Sequence, residues 1–527
     1  MEPDLFADLT ARTAAWLRAY HDGIESRPVL SQVAPGDVLA GLPLHPPVQG
    51  LAADPRGARE AWNEVFADLD RVVMPGLTHW QSPSFFAFFP SNTSEPAMLG
   101  EMLAAGLCVQ GMLWLTSPAC TELEMRVMDW LGEAIGLPEA FLFRSSSGGG
   151  HGGGVIQGTA SDAVLAAIVA ARRGAMQAHR QRSNASGKGS HPELVAYTSS
   201  QAHSSILKAA MVAGIADGPD DRTHVRMIEV DESFRMSPSA LLAAMHEDAA
   251  AGRTPFFIAV SLGTTGVTAV DPLAEIVHAI RGSDLACVRE AWVHIDAAHI
   301  GAMLVCPEHR WMIEGIEQAD SFCFNPHKWL LTGFDCDTFW VRDRRRLIDA
   351  MSVTPEYLRN DASQSGQVVD YRDWHVPLGR RFRSLKLWLV MRHYGLDGLQ
   401  AYIRNHIQLA QWLEARVRAD ERFEILAPRT ANLVCFALRA RTGENTAEIN
   451  ARTKQLLEHV NASGKAYISH TVLPTHGAGA GRYVIRVSIG ATRVEQRHVQ
   501  AFWELVLRLV DRDGVVSEPT EAAIVRS

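Results

Sequence analysis

Four short apolar runs, at 194–197, 256–262, 292–295 and 321–324, punctuate the middle of this chain, and longer segments with helical periodicity, such as 160–173 and 272–280, lie between several of them. Runs this short are consistent with buried strands, and the periodic segments supply the crossovers that parallel strands require. The alternation predicts an α/β layer built on a mostly parallel sheet. In such sheets ligands gather at the carboxyl ends of the strands, so the residues that follow each run are the ones to inspect.

The flanks read differently. In the first ninety or so residues Leu5, Leu9, Trp16, Leu17 and Tyr20 lie at helical spacing, as do Trp62, Val65, Phe66, Leu69, Val72 and Val73. A Pro/Gly-rich connection, 31–56, separates the two sets and is expected to be irregular. Apolar faces this wide on short helices need a partner, either this chain's own core or a second subunit. The strand-and-helix pattern begins at about Pro96. After Arg383 a periodic stretch, 385–417, predicts a linking helix, followed by strand-like runs at 433–438 and 483–487. Residues 475–481 read as a flexible loop, and the polar tail after Asp511 as disordered. A chain of 527 residues is long enough for two or three packed domains. The expected division is a helical segment at 1–94, a large domain at 95–385 and a small C-terminal α/β domain at 386–527.

Charge and cysteine usage exclude some classes of function. The net charge of −9 gives no basic excess for nucleic acid. The arginine runs 344–346 and 380–383 read as solvated helix faces or carboxylate clamps. Seven scattered cysteines with no CxxC pair suit buried free thiols in a reducing compartment, and no metal site is expected. The acidic, amphipathic start lacks the features of a signal peptide, and no stretch approaches the roughly 18 apolar residues of a membrane span. A soluble, cytoplasmic protein with no membrane partner is expected.

Chemistry gathers at the strand ends. Asn325-Pro326-His327-Lys328-Trp329 follows the run at 321–324 directly. A lysine at the mouth of a strand can form an imine with an aldehyde cofactor if its surroundings lower its pKa. Taken alone, such a lysine is more often a surface residue. Asp296 ends the run at 292–295, 32 positions before Lys328. Pyridoxal phosphate needs a carboxylate against its pyridine nitrogen, and the small Ala297 and Ala298 would let a flat ring approach. Asp296 alone would read as a helix cap; acid after strand, then lysine after strand, is much less likely by chance. The glycine run 148–154 is weak evidence, but Gly158-Thr159-Ala160-Ser161 opens an Ala-rich helix, where backbone N–H groups and two hydroxyls would meet a phosphate. His203, shortly after the run at 194–197, is placed to stack on a ring.

These phrases resemble the aromatic-L-amino-acid decarboxylases, in the group II branch of pyridoxal-phosphate decarboxylases. The matching stretches are THWQSP (78–83), FFAFFP (85–90), SPACTELE (117–124), MDWL (128–131), GVIQG (154–158), SQAHSS (200–205), LGTT (262–265), NPHKWLL (325–331) and PLGRRFRSLK (377–386). The similarity runs from about residue 1 to 510. It implies fold-type I of the pyridoxal-phosphate enzymes, with an N-terminal helical segment wrapping a partner subunit in a homodimer, and decarboxylation of an aromatic L-amino acid to its amine.

Residue by residue, the resemblance implies that Lys328 carries the cofactor, Asp296 pairs with the pyridinium nitrogen, His203 stacks on the ring and Ala298 borders it. Phosphate contacts fall on Ala160 and Ser161, with Asn325 and His327 closing the pocket and Thr265 near the ring's substituents. Tyr357, in the polar stretch 354–366 that reads as a lid, would return a proton to Cα. Related aldehyde synthases carry phenylalanine there, so the hydroxyl favours amine formation. Trp80, Phe88, Phe89 and Pro90 match an aromatic-lined pocket, though as aromatics they could equally be core, and Gly379 leaves room for a bulky ring. Phe88 stands where animal members commonly have tyrosine, and Met112 where they have phenylalanine. An aldehyde synthase on the same fold and a silent cofactor-binding homologue are the alternatives.

Overall fold

The computed structural model describes residues 3–54, 56–144, 150–182, 191–353, 358, 360–364, 368–474 and 481–512. By compactness the chain forms two units. The larger comprises Ser91–Ala415 and Ile425–Phe436; the smaller comprises Met1–Pro90, Arg416–Glu424 and Ala437–Ser527.

The larger unit is built on seven strands: β1 (Gly153–Gln157), β2 (Leu194–Ser199), β3 (Val225–Ile228), β4 (Thr254–Ser261), β5 (Trp292–Asp296), β6 (Ser321–Phe324) and β7 (Asp337–Val341). Their order is β1-β7-β6-β5-β4-β2-β3. Neighbours from β3 through β6 pair in parallel, while β7 is antiparallel to both β6 and β1. The four strands read from the sequence are β2, β4, β5 and β6. Most strands are buried along their whole length because helices cover both faces, which explains their unbroken apolar character.

One face packs on the Ala160–Arg182 helix. Its Ala163, Val164, Ala167, Ala170 and Ala171 meet Val155, Ala196, Phe257, Cys323 and Phe339. Alanine serves twice here, as the best helix former and as a side chain short enough for close approach to the sheet. The other face packs Met128 and Leu131 of the Pro118–Ala134 helix with Ile156, Ile258, Val293 and Trp340. Serine caps begin three helices beside a proline: Ser94 accepts from Ala97 N–H, Ser117 from Cys120 N–H and Ser237 from Ala240 N–H.

Two expectations need correction. The strand pattern does not begin near Pro96, because the helices Glu95–Leu107 and Pro118–Ala134 come first and β1 starts at Gly153. The linking helix Ser384–Ala419 is also not continuous. Gly395 sits at φ +61°, a conformation glycine adopts without a Cβ clash, and divides it.

A second sheet has the order β10-β11-β9-β8, from β8 (Phe423–Ile425), β9 (Leu433–Leu438), β10 (Ser469–Leu473) and β11 (Arg482–Ser488). The mostly parallel large sheet and this smaller one are the layers expected. Five cysteines are buried, Cys108 is exposed and Cys287 lies between, all as free thiols. No described helix is long and apolar enough to cross a membrane.

Candidate active site

The carboxyl edge of the large sheet brings the strand-end residues together. Asp296 is the last residue of β5 and pairs in register with Cys323 of the adjacent β6. It is buried, and its Oδ1 accepts the Ala298 N–H at 3.0 Å. Immediately past β6, the buried Asn325 turns the chain: its N–H donates to Ala298 O and its carbonyl accepts from Lys328 N–H, both at 3.0 Å. Pro326 then opens a single helical turn, Pro326–Trp329, that carries Lys328.

Lys328 is half-buried. Burial lowers its pKa, with the charges of Asp296 and Asp337 and the Cys323 thiol opposing. That is the environment an amine nucleophile needs. His203 is exposed, and its Nδ1 accepts from Ser205 N–H at 3.1 Å and lies 2.8 Å from Ser205 Oγ. Partial burial lowers its pKa; Asp296 pulls it up and Lys328 pushes it down, so all three groups feel one another. His327 is buried, accepts Cys336 N–H at Nδ1 (3.0 Å) and has its pKa pushed down to about 3, chiefly by burial. It is a neutral acceptor that fixes the chain after Lys328.

At the start of the Ala160–Arg182 helix, Ala160 N–H donates to Asn325 Oδ1 at 3.1 Å, tying the helix end to the lysine turn. Ser161 is exposed there. The two hydroxyls expected to face an anion are reduced to one. Thr159 gives both its N–H and its Oγ1 to Asp162 Oδ2, at 2.9 and 3.1 Å, as an internal cap. Thr265 is exposed on the loop after β4.

The pyridoxal-dependent decarboxylase conserved domain matches residues 48–439. The chain belongs to the pyridoxal-dependent decarboxylases. It is 44% identical to tryptophan decarboxylase 2 of Oryza sativa subsp. japonica over 508 residues, 96% of this chain and 94% of that one. It is 45% identical to phenylacetaldehyde synthase of Arabidopsis thaliana over 489 residues, covering 92% of each. Among solved structures, Oryza sativa TDC with PLP and tryptamine superposes with a TM-score of 0.88 at 38% identity, over 97% of this chain and 99% of that one. Rhodiola rosea 4-hydroxyphenylacetaldehyde synthase gives 0.84 at 34%, over 97% and 99%.

The residues present suit the family's cofactor, pyridoxal phosphate. A buried strand-end carboxylate stands beside two alanines, His203 is exposed, a lysine amine is disfavoured as ammonium, and a long helix begins at Ala160 with Ser161 exposed. Asn325, His327, Ala298 and Asp296 are joined to the lysine turn by the bonds above.

The expected substrate residues fall into two groups. Trp80, Phe88, Phe89 and Pro90 lie in the smaller unit. There Phe86 N–H donates to Tyr467 O and Ser488 N–H to Phe86 O, which pins the segment. Phe85 and Phe86 are core, whereas Trp80 and Phe88 are 39% and 48% exposed with rings stacked at 5.9 Å, so the core reading fails for these two. Arg486 lies over Phe89 at 5.2 Å, and Pro90 is buried. In the larger unit, Met112 is half-buried and accepts Arg372 N–H at its carbonyl, and Gly379 is exposed beside Gln110. Tyr357 lies outside the described residues, as do 145–149, which include the first two glycines of the glycine run, 475–480 of the expected loop, and the tail after Arg512. Within the expected lid, Asp361–Gln364 forms one helical turn.

Sequence reasoning missed two residues here. Tyr467 packs edge-on against Phe85 and Phe88 at 5.7 and 5.9 Å, and no motif marks it. Asp337 is a buried carboxyl group electrostatically coupled to Lys328, at the start of a strand that was not read at all.

Proposed function

We propose that this chain removes the carboxyl group of an aromatic L-amino acid to give the amine and CO2, with Lys328 carrying pyridoxal phosphate. The observation that supports it most is a lysine with depressed basicity one short turn beyond β6, beside the buried carboxylate that ends the neighbouring parallel strand. Bound pyridoxal phosphate supplies the electron sink for the breaking Cα–carboxylate bond. Asp296 would hold positive charge on the ring nitrogen. His203, anchored by Ser205, would cover a ring face, and Ala160, Ser161, Asn325 and His327 would hold the phosphate end, with Thr265 and Ala298 at the ring's border. Tyr357 delivers the proton that replaces CO2 at Cα.

For the substrate, the exposed, stacked Trp80 and Phe88 offer an apolar aromatic surface beside Phe89 and Pro90 in the smaller unit, while Met112 and Gly379 are the expected substrate residues of the larger one. Relatives named for tryptophan and tyrosine decarboxylation support an aromatic substrate. The aldehyde synthases among the relatives make aldehyde production the second reading; the hydroxyl at Tyr357 favours the amine. We also infer a homodimer. Leu99, Met102, Leu103 and Leu107 fall on one side of the Glu95–Leu107 helix and are 46–58% exposed, an apolar row suited to burial against another copy.

The test is a panel of aromatic and acidic L-amino acids with pyridoxal phosphate, wild type beside Lys328→Ala and Tyr357→Phe. Equal amounts of CO2 and amine from aromatic substrates only, abolished in Lys328→Ala, are expected. Tyr357→Phe is expected to shift product toward aldehyde. Aldehyde and peroxide from the wild type would move the assignment to the synthases, and absence of turnover across the panel would overturn it.

A further inference from the structure

The amino edge of the large sheet lies opposite the edge that carries Asp296 and Lys328, and a cavity of about 630 Å³ opens there. It is lined by the start of β4, Thr254 to Phe256, and by the last turns of the Ala160–Arg182 helix. On that helix Ala171, Gly174, Ala175 and Ala178 are too short to fill the space. The volume suits a small molecule. Among the described residues lining it are five arginines, Arg182, Arg281, Arg289, Arg342 and Arg346, against two carboxylates, Glu290 and Asp320. Three positive charges are therefore in excess here, in a chain whose net charge is −9.

Asp320 directly precedes β6 and is buried. Its Oδ2 accepts Val293 N–H at 2.9 Å and Arg281 Nη2 at 3.0 Å; its Oδ1 accepts Arg346 Nη1 at 2.8 Å and Arg342 Nη2 at 3.4 Å. A carboxylate has about four lone-pair sites, so this one is full, with its single charge divided among three guanidiniums. Arg281 is spent on structure, its remaining bonds going to the carbonyls of Arg289, Ala291 and Gln318. The other four are not. Arg182 gives one N–H to Glu290 Oε2 and Arg289 one to Ser283 O; Arg346 gives one to Asp320, and Arg342 adds one to Glu317 O. A guanidinium carries five N–H donors, so most of these are left for water or a ligand. The side chains of Arg182, Arg342 and Arg346 are 45%, 40% and 37% exposed, within reach of a molecule in the cavity. Arg346 is also steadied over the Trp292 ring, 4.4 Å from its centroid.

We propose that this cavity binds a small polyanion, a molecule bearing two or three phosphate or carboxylate groups, at a site separate from that of the cofactor. Guanidinium forks match the oxygens of phosphate and carboxylate in pairs, and the excess of positive charge selects a multivalent anion over a monovalent one. The donors converge from separate elements: Arg182 from the end of the long helix, Arg289 from the turn Ala286–Arg289, Arg342 from just past β7 and Arg346 from the helix Arg344–Met351. A bound anion bridges these elements and so stabilises the larger unit. The inference is independent of the reading of Lys328 as the cofactor lysine.

The experiment titrates the full chain calorimetrically in excess pyridoxal phosphate, so that the cofactor's own phosphate site is filled. The probes are tripolyphosphate and citrate, with chloride as the monovalent control at matched ionic strength. One-to-one binding of tripolyphosphate, citrate or both is expected, with none of chloride, and a thermal midpoint that climbs with probe concentration. Arg342→Gln removes a donor. Ala178→Glu keeps every arginine and places a negative charge at a half-buried helix position in the lining, which covers the case that Arg342→Gln loosens Asp320. Each variant is expected to weaken binding about tenfold or more, with the absorbance of bound pyridoxal phosphate unchanged. Binding of tripolyphosphate alone identifies a phosphate ligand, of citrate alone a polycarboxylate, and of both a site that reads charge. Absence of binding at about 1 mM of either probe, or affinity unaltered in both variants, would overturn the site.

Discussion

Glu124 and Arg380 are both completely buried, 2.6 Å apart, in the larger unit. Glu124 Oε1 also accepts Ile156 N–H at 2.8 Å, Arg380 donates to Ile156 O at 3.0 Å, and its guanidinium lies 4.5 Å over the Tyr371 ring. Removing one member leaves the other charge buried and unpaired, a loss of about 3–5 kcal/mol. Glu124→Gln and Arg380→Met are each expected to lower the denaturant midpoint strongly, and the double variant by clearly less than the sum, as a double-mutant cycle would read. Additive effects would mean the pair is not coupled. Both residues, and Ile156, belong to phrases legible in the sequence, SPACTELE, PLGRRFRSLK and GVIQG. What the sequence did not reveal is that the three phrases meet, since contact across more than 250 positions leaves no local periodicity. The neighbouring arginines behave as the clamp reading expected, Arg381 pairing with Glu101 and Arg383 with Asp335.

β1 shows why some elements were legible and others not. Its first two residues are glycines, a composition that reads as a loop, yet it sits at the sheet edge against packed aromatics. A Cβ on Gly153 would lie 2.6 Å from the Phe143 ring and 2.8 Å from Trp374. One on Gly154 would lie 2.5 Å from Met128 Cε and 2.7 Å from Trp340. The glycines are therefore a packing requirement. Gly154→Ala is expected to destabilise by about 1–3 kcal/mol through overpacking, read as a lowered thermal midpoint with retained cofactor absorbance. An unchanged midpoint would show that Met128 and Trp340 yield freely. β3 escaped notice because it is short and interrupted by Arg226, and β7 because it begins with a charge; β2, β4, β5 and β6 were legible because burial on both faces selects unbroken apolar runs. The break at Gly395 was hidden by apolar periodicity that continues through it.

Across the molecule, several histidines are held neutral by burial: His294 at about 4, and His327, His375 and His406 at about 3. Their folded values lie below the unfolded 6.5, so the unfolded chain takes up protons first as the pH falls. Their contribution is complete above about 6.5 and is lost toward about 3–4. Asp271, raised to about 7 by burial, acts oppositely: its contribution is present in acid and fades as pH rises through the folded value. The four histidines outnumber this carboxyl group, so their proton uptake on unfolding dominates as the pH falls below about 6.5. The thermal midpoint is accordingly expected to fall steadily from about pH 6.5 to about 4 in a buffer series, and a flat profile there would refute neutral burial of these rings. The alternating pattern and strand-end residues made this architecture and its cofactor legible at the sequence level. The choice among aromatic substrates was not, because ring placements such as that of Tyr467 against Phe88 are made by contacts that no spacing encodes. The cysteines, finally, give the protein an internal gauge. All seven fall in the unit that contains Lys328, and only Cys108 and Cys287 are within reach of solvent. Burial also holds Cys120, Cys306 and Cys336 at about 11–12, so they are both shielded and chemically quiet. The rate at which an alkylating reagent advances from two modified sulfurs toward seven therefore clocks the opening of that unit alone, whatever the smaller one does.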